Sequence, residues 1–106
     1  VWDSLPVLTR DAFRVRSHST NEEEARLLAL KFSLKGVAQK ISCPIFIVAG
    51  KLDRLISYKD AERLAEEVSG PVELLIIEDG NHVANNRAYR YRLQTADWMA
   101  ELLGNI

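Results

Sequence analysis

The sequence predicts an α/β fold built around one βαβ unit with parallel strands. Two short apolar runs, at about residues 44–49 and 72–78, have the composition of strands. Between them, apolar residues recur with helical spacing over residues 58–69, and the order strand, helix, strand places the two strands parallel. The first run is continuously apolar from Ile45 to Ala49, a pattern typical of a strand covered by helices on both faces.

Three helices are expected to flank this unit. The first covers residues 22–35, because Asn21 is a good N-cap and Gly36 is a natural end. The second covers residues 58–69, between the two strands. The third covers residues 89–103, where apolar side chains recur along one stripe. The sequence contains no internal repeat and no low-complexity linker.

Two polar side chains follow the two predicted strands. Asp53 lies in the GKLDRL turn after the first strand, and His82 lies in the DGNH turn after the second. Because the carboxyl ends of parallel strands meet at one edge of a sheet, we expect these side chains to lie close together. A carboxylate in hydrogen-bond reach of a histidine fixes its tautomer and stabilises the imidazolium. The pair is therefore predicted to be the acid and base of a nucleophilic triad.

Each of these residues also has a plainer interpretation. Taken alone, Asp53 is a turn former and His82 a solvated loop residue, and it is their joint position that favours chemistry. Asp79 is a rival acid, but a residue in the same turn as the histidine is better suited to shaping the loop. Cys43 precedes Pro44 at the start of a strand, which is the wrong sheet edge for a nucleophile.

The motifs GKLDRLI and GNH, each following an apolar strand, resemble the final third of α/β-hydrolases. Over about residues 36–103, from ISCPIFIVAG to GNHVANNRAYRYR, the sequence is most similar to the branch containing 2,6-dihydroxypseudooxynicotine hydrolase and its esterase relatives. The resemblance implies a partial α/β-hydrolase fold in which Asp53 is the triad acid and His82 the general base. It also implies that residues 1–35 are a remnant of the cap and that residues 36–106 are the C-terminal part of the core.

The nucleophile of such a triad has no candidate in this sequence. There is no G-x-S-x-G turn and no HGGG-like oxyanion segment, and Ser57 is better explained as a helix cap. The start at Val1, without an initiator Met, agrees with missing parts. We therefore expect the C-terminal fragment of a serine hydrolase that cleaves ester, amide or C–C bonds and is inactive without an upstream serine. The alternative is a non-catalytic interaction module with a hydrolase-like shape.

Composition and charge limit the partners. A net charge of −1 gives no electrostatic reason to bind nucleic acid or an anionic membrane, and the RAYRYR segment is too short to change that. No apolar run approaches the roughly 20 residues that span a bilayer. The single cysteine, Cys43, fits a reducing compartment, so a cytoplasmic location is expected.

The remaining expectations concern ligands and assembly. His18, Cys43 and His82 lack the paired spacing of a zinc site, so no metal and no cofactor are expected. The partner of the full-length enzyme would be a small-molecule substrate. The first strand would pair on its other side with an upstream strand, and we therefore expect a homo-oligomer formed through exposed sheet edges or apolar helix faces.

Overall fold

The computed structural model describes residues 2–104 of the chain. The chain divides into two compact units, one of residues 1–35 and one of residues 36–106. The interpretation of the first unit as a cap remnant stays a prediction.

The first unit contains two α-helices, α1 (Val7–Arg16) and α2 (Glu22–Ala29), after a short 3₁₀ turn at Trp2–Ser4. The sequence does not predict α1. Its N-cap is Pro6, which makes no side-chain capping bond, so the usual polar signal of a helix start is absent.

Helix α2 begins as predicted and ends early. The side chain of Asn21 accepts the N–H of Glu24 at 2.9 Å and so caps the first turn. At the other end, the N–H of Phe32 bonds to the carbonyl of Ala29, three residues back. The predicted helix over residues 22–35 is therefore wrong in its second half, because the chain tightens into a 3₁₀-type turn after Ala29 and leaves the α-helix.

The second unit carries the predicted βαβ arrangement. Its elements are β1 (Ile45–Gly50), α3 (Tyr58–Glu67), β2 (Val72–Ile77) and α4 (Arg92–Gly104), preceded by a 3₁₀ turn at Ala38–Lys40. The two strands are parallel, with Ile45 opposite Val72 and Gly50 opposite Ile77. Both strands lie within one residue of their predicted bounds, and α3 ends two residues before its predicted end. The α/β class is confirmed.

The last helix starts later than predicted. The helix expected over residues 89–103 begins at Arg92, and it is preceded by a 3₁₀ segment, His82–Arg90, that is broken by left-handed backbone at Val83 and Ala84. Within residues 2–104, no helix is long and apolar enough to cross a bilayer. Several large apolar side chains of this region are more than half exposed: Tyr89, Leu93, Met99 and Leu103.

The sheet is less buried than its apolar sequence indicates. Residues 45–49 of β1 are half-buried, and Val72 and Leu74 of β2 are each 37% exposed. Among the described residues, the expected burial of β1 on both faces is not found, because few elements pack on this two-stranded sheet. Cover comes from α3 and from α4, whose Trp98 packs edge-to-face on Phe46 with ring centroids 5.5 Å apart.

Candidate active site

The turns that follow β1 and β2 are joined by backbone hydrogen bonds. The N–H of Lys51 donates to the carbonyl of Ile77, and the N–H of Leu52 donates to the carbonyl of Gly80, both at 2.9 Å. The parallel ladder therefore continues past the ends of the strands. These backbone hydrogen bonds keep the side chains of the two turns close to each other.

Two glycines make this close approach possible. A Cβ added to Gly50 would lie 2.5 Å from the carbonyl oxygen of Gly80 and closer still to that of Asn81. A Cβ added to Gly80 would lie 3.0 Å from the Cα of Gly50. The backbones of the two turns thus touch where any larger residue would push them apart.

This junction brings together the two residues that the sequence singles out. Nδ1 of His82 lies 3.0 Å from Oδ2 and 3.2 Å from Oδ1 of Asp53. An ionised carboxylate only accepts hydrogen bonds, so the neutral imidazole carries its proton on Nδ1 and keeps the lone pair of Nε2 free. The side chain of Asp53 is 7% exposed and that of His82 is 42% exposed. The acid is enclosed, and the base is open to a reactant.

Asp53 is held ionised by its surroundings. Burial acts to raise its pKa, but hydrogen bonds to the carboxylate outweigh this and lower the pKa from 3.8 to about 2. The strongest are from the N–H groups of Ile56 and Leu55, at 3.0 and 2.9 Å. The ring of His82 and the N–H of Val83, the latter at 3.4 Å, add to them. The carboxylate is therefore charged at neutral pH.

The rival acid, Asp79, faces another partner. Its Oδ2 lies 2.7 Å from Nε of Arg87, and this hydrogen bond lowers the pKa of Asp79. A second ion pair, Lys51 to Glu78 at 2.9 Å, links the two turns. Both ion pairs lie on the outer surface of the loop. The carboxylate that contacts the His82 ring belongs to Asp53 and not to Asp79.

The other sequence candidates lie apart from this pair. Cys43 is exposed and precedes β1, at the opposite end of the strand from Asp53. The hydroxyl of Ser57 accepts the N–H of Lys59 at 3.2 Å as the N-cap of α3. Among residues 2–104, no group of three His, Cys, Asp or Glu side chains is placed to hold a metal ion.

Sequence reasoning misses the residues that shape the His82 loop. Asn81 and Asn86 bond to each other across the loop, and the chain between them includes two residues with positive φ, Val83 and Ala84. The signal that could have found them is the segment NHVANN, which places asparagines, common in turns through side-chain bonds to backbone, on both sides of the histidine.

The two strands of the βαβ unit are parallel, and at their carboxyl ends an aspartate contacts Nδ1 of a histidine. This arrangement defines the class of protein: the chain has a partial α/β-hydrolase fold. Its sequence is 31% identical over 105 residues to 2,6-dihydropseudooxynicotine hydrolase of Paenarthrobacter nicotinovorans, a match that covers 96% of this chain. The resemblance that the sequence motifs predict, to this branch of hydrolases, is confirmed.

The solved structures give the same result. The chain matches the crystal structure of 2,6-dihydroxy-pseudo-oxynicotine hydrolase with a TM-score of 0.78 and 30% identity, over 92% of its own length. No protein-family model matches the chain. The chain spans 28% of the length of each of these two relatives, so it is homologous to a part of a hydrolase.

Proposed function

We propose that this chain supplies the acid and the base of a hydrolase triad, with Asp53 orienting His82 and His82 acting as general base. The observation that carries the proposal is the contact of 3.0 Å between Nδ1 of His82 and Oδ2 of Asp53. Nε2 takes a proton from the attacking hydroxyl, and the buried carboxylate stabilises the imidazolium that results. The same nitrogen then returns the proton to the leaving group.

We propose further that the nucleophile is a serine of the full-length protein that lies outside this chain. The ring of His82 hydrogen-bonds to Asp53, and the sequence has no G-x-S-x-G turn. The large share of the relatives that the chain does not span supports this assignment. The chain alone is then inactive, and the whole protein hydrolyses an ester, an amide or the C–C bond of an activated ketone.

The name of the relative specifies one substrate, and only the class of reaction, hydrolysis, is extended to this chain. The chain spans 28% of the relative's length, so we infer that residues outside this chain form most of the pocket that selects the substrate. This chain therefore carries the proton-transfer half of the reaction.

A comparison of the two histidines tests the role of His82. In the full-length protein, His82→Ala should lower kcat for an ester probe by at least about 100-fold, because the general base is lost. The matched control is His18→Ala, which removes the other histidine of the chain and should leave kcat unchanged. Turnover retained by His82→Ala would overturn the assignment of the base. A full-length wild-type protein inert toward esters, amides and activated ketones would instead favour the interaction module.

A further inference from the structure

His82 lies in a loop that two asparagines close. Oδ1 of Asn86 accepts the N–H of Asn81 at 2.8 Å, and the N–H of Asn86 donates to Oδ1 of Asn81 at 3.3 Å. Nδ2 of Asn86 also donates to the carbonyl of Asp79 at 3.0 Å. Asn86 thus makes three hydrogen bonds across the loop, two of them through its side chain. We call this set of contacts the asparagine bracket.

The bracket encloses a backbone conformation that L-residues avoid. Val83 has φ 50° and ψ 22°, and Ala84 has φ 53° and ψ 30°. Left-handed backbone is unfavourable for residues with a Cβ and most of all for a β-branched one such as valine. Two such residues in succession persist only where surrounding contacts fix them. Ala84 is fully buried. Its N–H donates to the carbonyl of Asn81 at 2.9 Å, so this hydrogen bond and the asparagine bracket both hold the left-handed turn.

The strained turn is coupled directly to the acid–base pair. The N–H of Val83 donates to Oδ2 of Asp53 at 3.4 Å, and that oxygen lies 3.0 Å from Nδ1 of His82. Two consecutive residues of the loop therefore face one carboxylate. If the turn relaxed toward ordinary backbone, both donors would move with it.

We propose that Asn86 is a positioning residue for the acid–base pair: its bracket holds the left-handed turn and thereby keeps the ring of His82 on Asp53. A catalytic role for Asn86 rests on the function proposed above. Its effect on the position of the His82 ring can be measured in this chain alone. The hydrogen bonds of Asn86 go to Asn81, Asp79 and Arg87, and none goes to Asp53 or His82. The ion pair of Asp79 and Arg87 spans the same loop on the exposed surface, and Nη1 of Arg87 donates to the carbonyl of Asn86 at 3.2 Å, but neither side chain hydrogen-bonds to Val83 or Ala84.

The tautomer of His82 reports the position of its ring. In the 106-residue chain labelled with ¹⁵N-histidine, NMR of the ring nitrogens at about pH 9, where imidazole is neutral, should show His82 mainly as the Nδ1–H form. Asn86→Ala should lower the ratio of Nδ1–H to Nε2–H forms about tenfold, the change expected when a hydrogen bond to a charged group is lost. Asn86→Asp keeps an acceptor for Asn81 and loses the donor to Asp79, so it should give an intermediate ratio.

The neighbouring residue provides a matched control. The side chain of Asn85 has no hydrogen-bond or ion-pair partner within residues 2–104, so Asn85→Ala should keep the wild-type ratio. The same ratio in Asn86→Ala would overturn the positioning role. Should Asn86→Ala lose its dispersed amide spectrum, Asn86→Asp decides by the same ratio, and a wild-type value there overturns the proposal.

Failure of the underlying function looks different in this experiment. If wild-type His82 shows no excess of the Nδ1–H form, and Asp53→Asn changes nothing, then the acid–base pair itself is refuted. If the wild type shows the excess and Asp53→Asn removes it while Asn86→Ala does not, the pair stands and only the bracket fails.

Discussion

Replacing Asp53 by asparagine removes the charge of the acid and keeps its size. The pKa of Asp53 is lowered from 3.8 to about 2 in the folded chain, against burial, which acts to raise it, by hydrogen bonds to the carboxylate. Each pKa unit corresponds to about 1.4 kcal/mol, so the ionised carboxylate stabilises the fold by roughly 2 kcal/mol at neutral pH. The side chain of Asp53 is 7% exposed but its partner His82 is 42% exposed, so water screens part of this contribution and roughly 2 kcal/mol is its upper bound.

The pH dependence has a definite sign. A lowered pKa means that the stabilisation is fully present above the unfolded pKa of about 4 and is lost as the pH falls toward about 2. The free energy of unfolding should therefore differ between wild type and Asp53→Asn by at most roughly 2 kcal/mol at about pH 7 and by only a few tenths of a kcal/mol near pH 2.

Urea unfolding followed by tryptophan fluorescence measures this difference. With Trp2 replaced by phenylalanine in both proteins, the signal comes from Trp98, which packs on Phe46 in the same unit as the acid. The control is Asp79→Asn, which removes an exposed carboxylate and should give a much smaller difference that salt weakens. A difference between wild type and Asp53→Asn that does not change with pH would refute the reasoning.

Two further predictions concern packing and assembly. Gly50→Ala should destabilise the second unit by about 1–3 kcal/mol, because its Cβ would overlap the carbonyls of the facing turn. Gly104→Ala should leave the melting temperature unchanged, because its Cβ would meet no atom of the described residues within 4 Å outside its own helix. Equal melting temperatures for the two variants would contradict the close contact. The chain should also form dimers or larger species in light scattering at high concentration, because the described sheet has two strands with open edges and many apolar side chains are exposed. A monomer at every concentration would count against this.

The parts of the fold that local signals encode could be predicted from the sequence. The apolar runs gave both strands to within a residue, and the polar turns after them located the pair of Asp53 and His82 because parallel strands end at one edge. The start of α2 followed from the capping oxygen of Asn21. These features depend on few neighbours in the chain, so the pattern suffices.

The parts that depend on tertiary contacts could not be predicted. No propensity rule places a valine at positive φ, so the turn at Val83 becomes visible only with the asparagines that hold it. The half-burial of β1 could not be predicted for a related reason. An apolar run shows that a strand can be buried, but it does not show which elements of the fold cover it. The early end of α2 depends on a tight turn that the stripe of apolar residues up to Leu34 conceals.

The contact between Gly50 and Gly80 has a consequence for engineering. Because it fixes the spacing of the two turns at the strand ends, the close contact of acid and base is set at the turns, although the two residues are 29 positions apart in sequence. Helix α3 packs on both strands, and the N–H groups of Leu55 and Ile56 before it hold the Asp53 carboxylate, so a change of this helix must keep its first turn in place. A transplant of the two turns into another scaffold should keep both glycines, because a Cβ at either position would meet the facing backbone. The two turns therefore form one structural unit that has to be engineered as a whole.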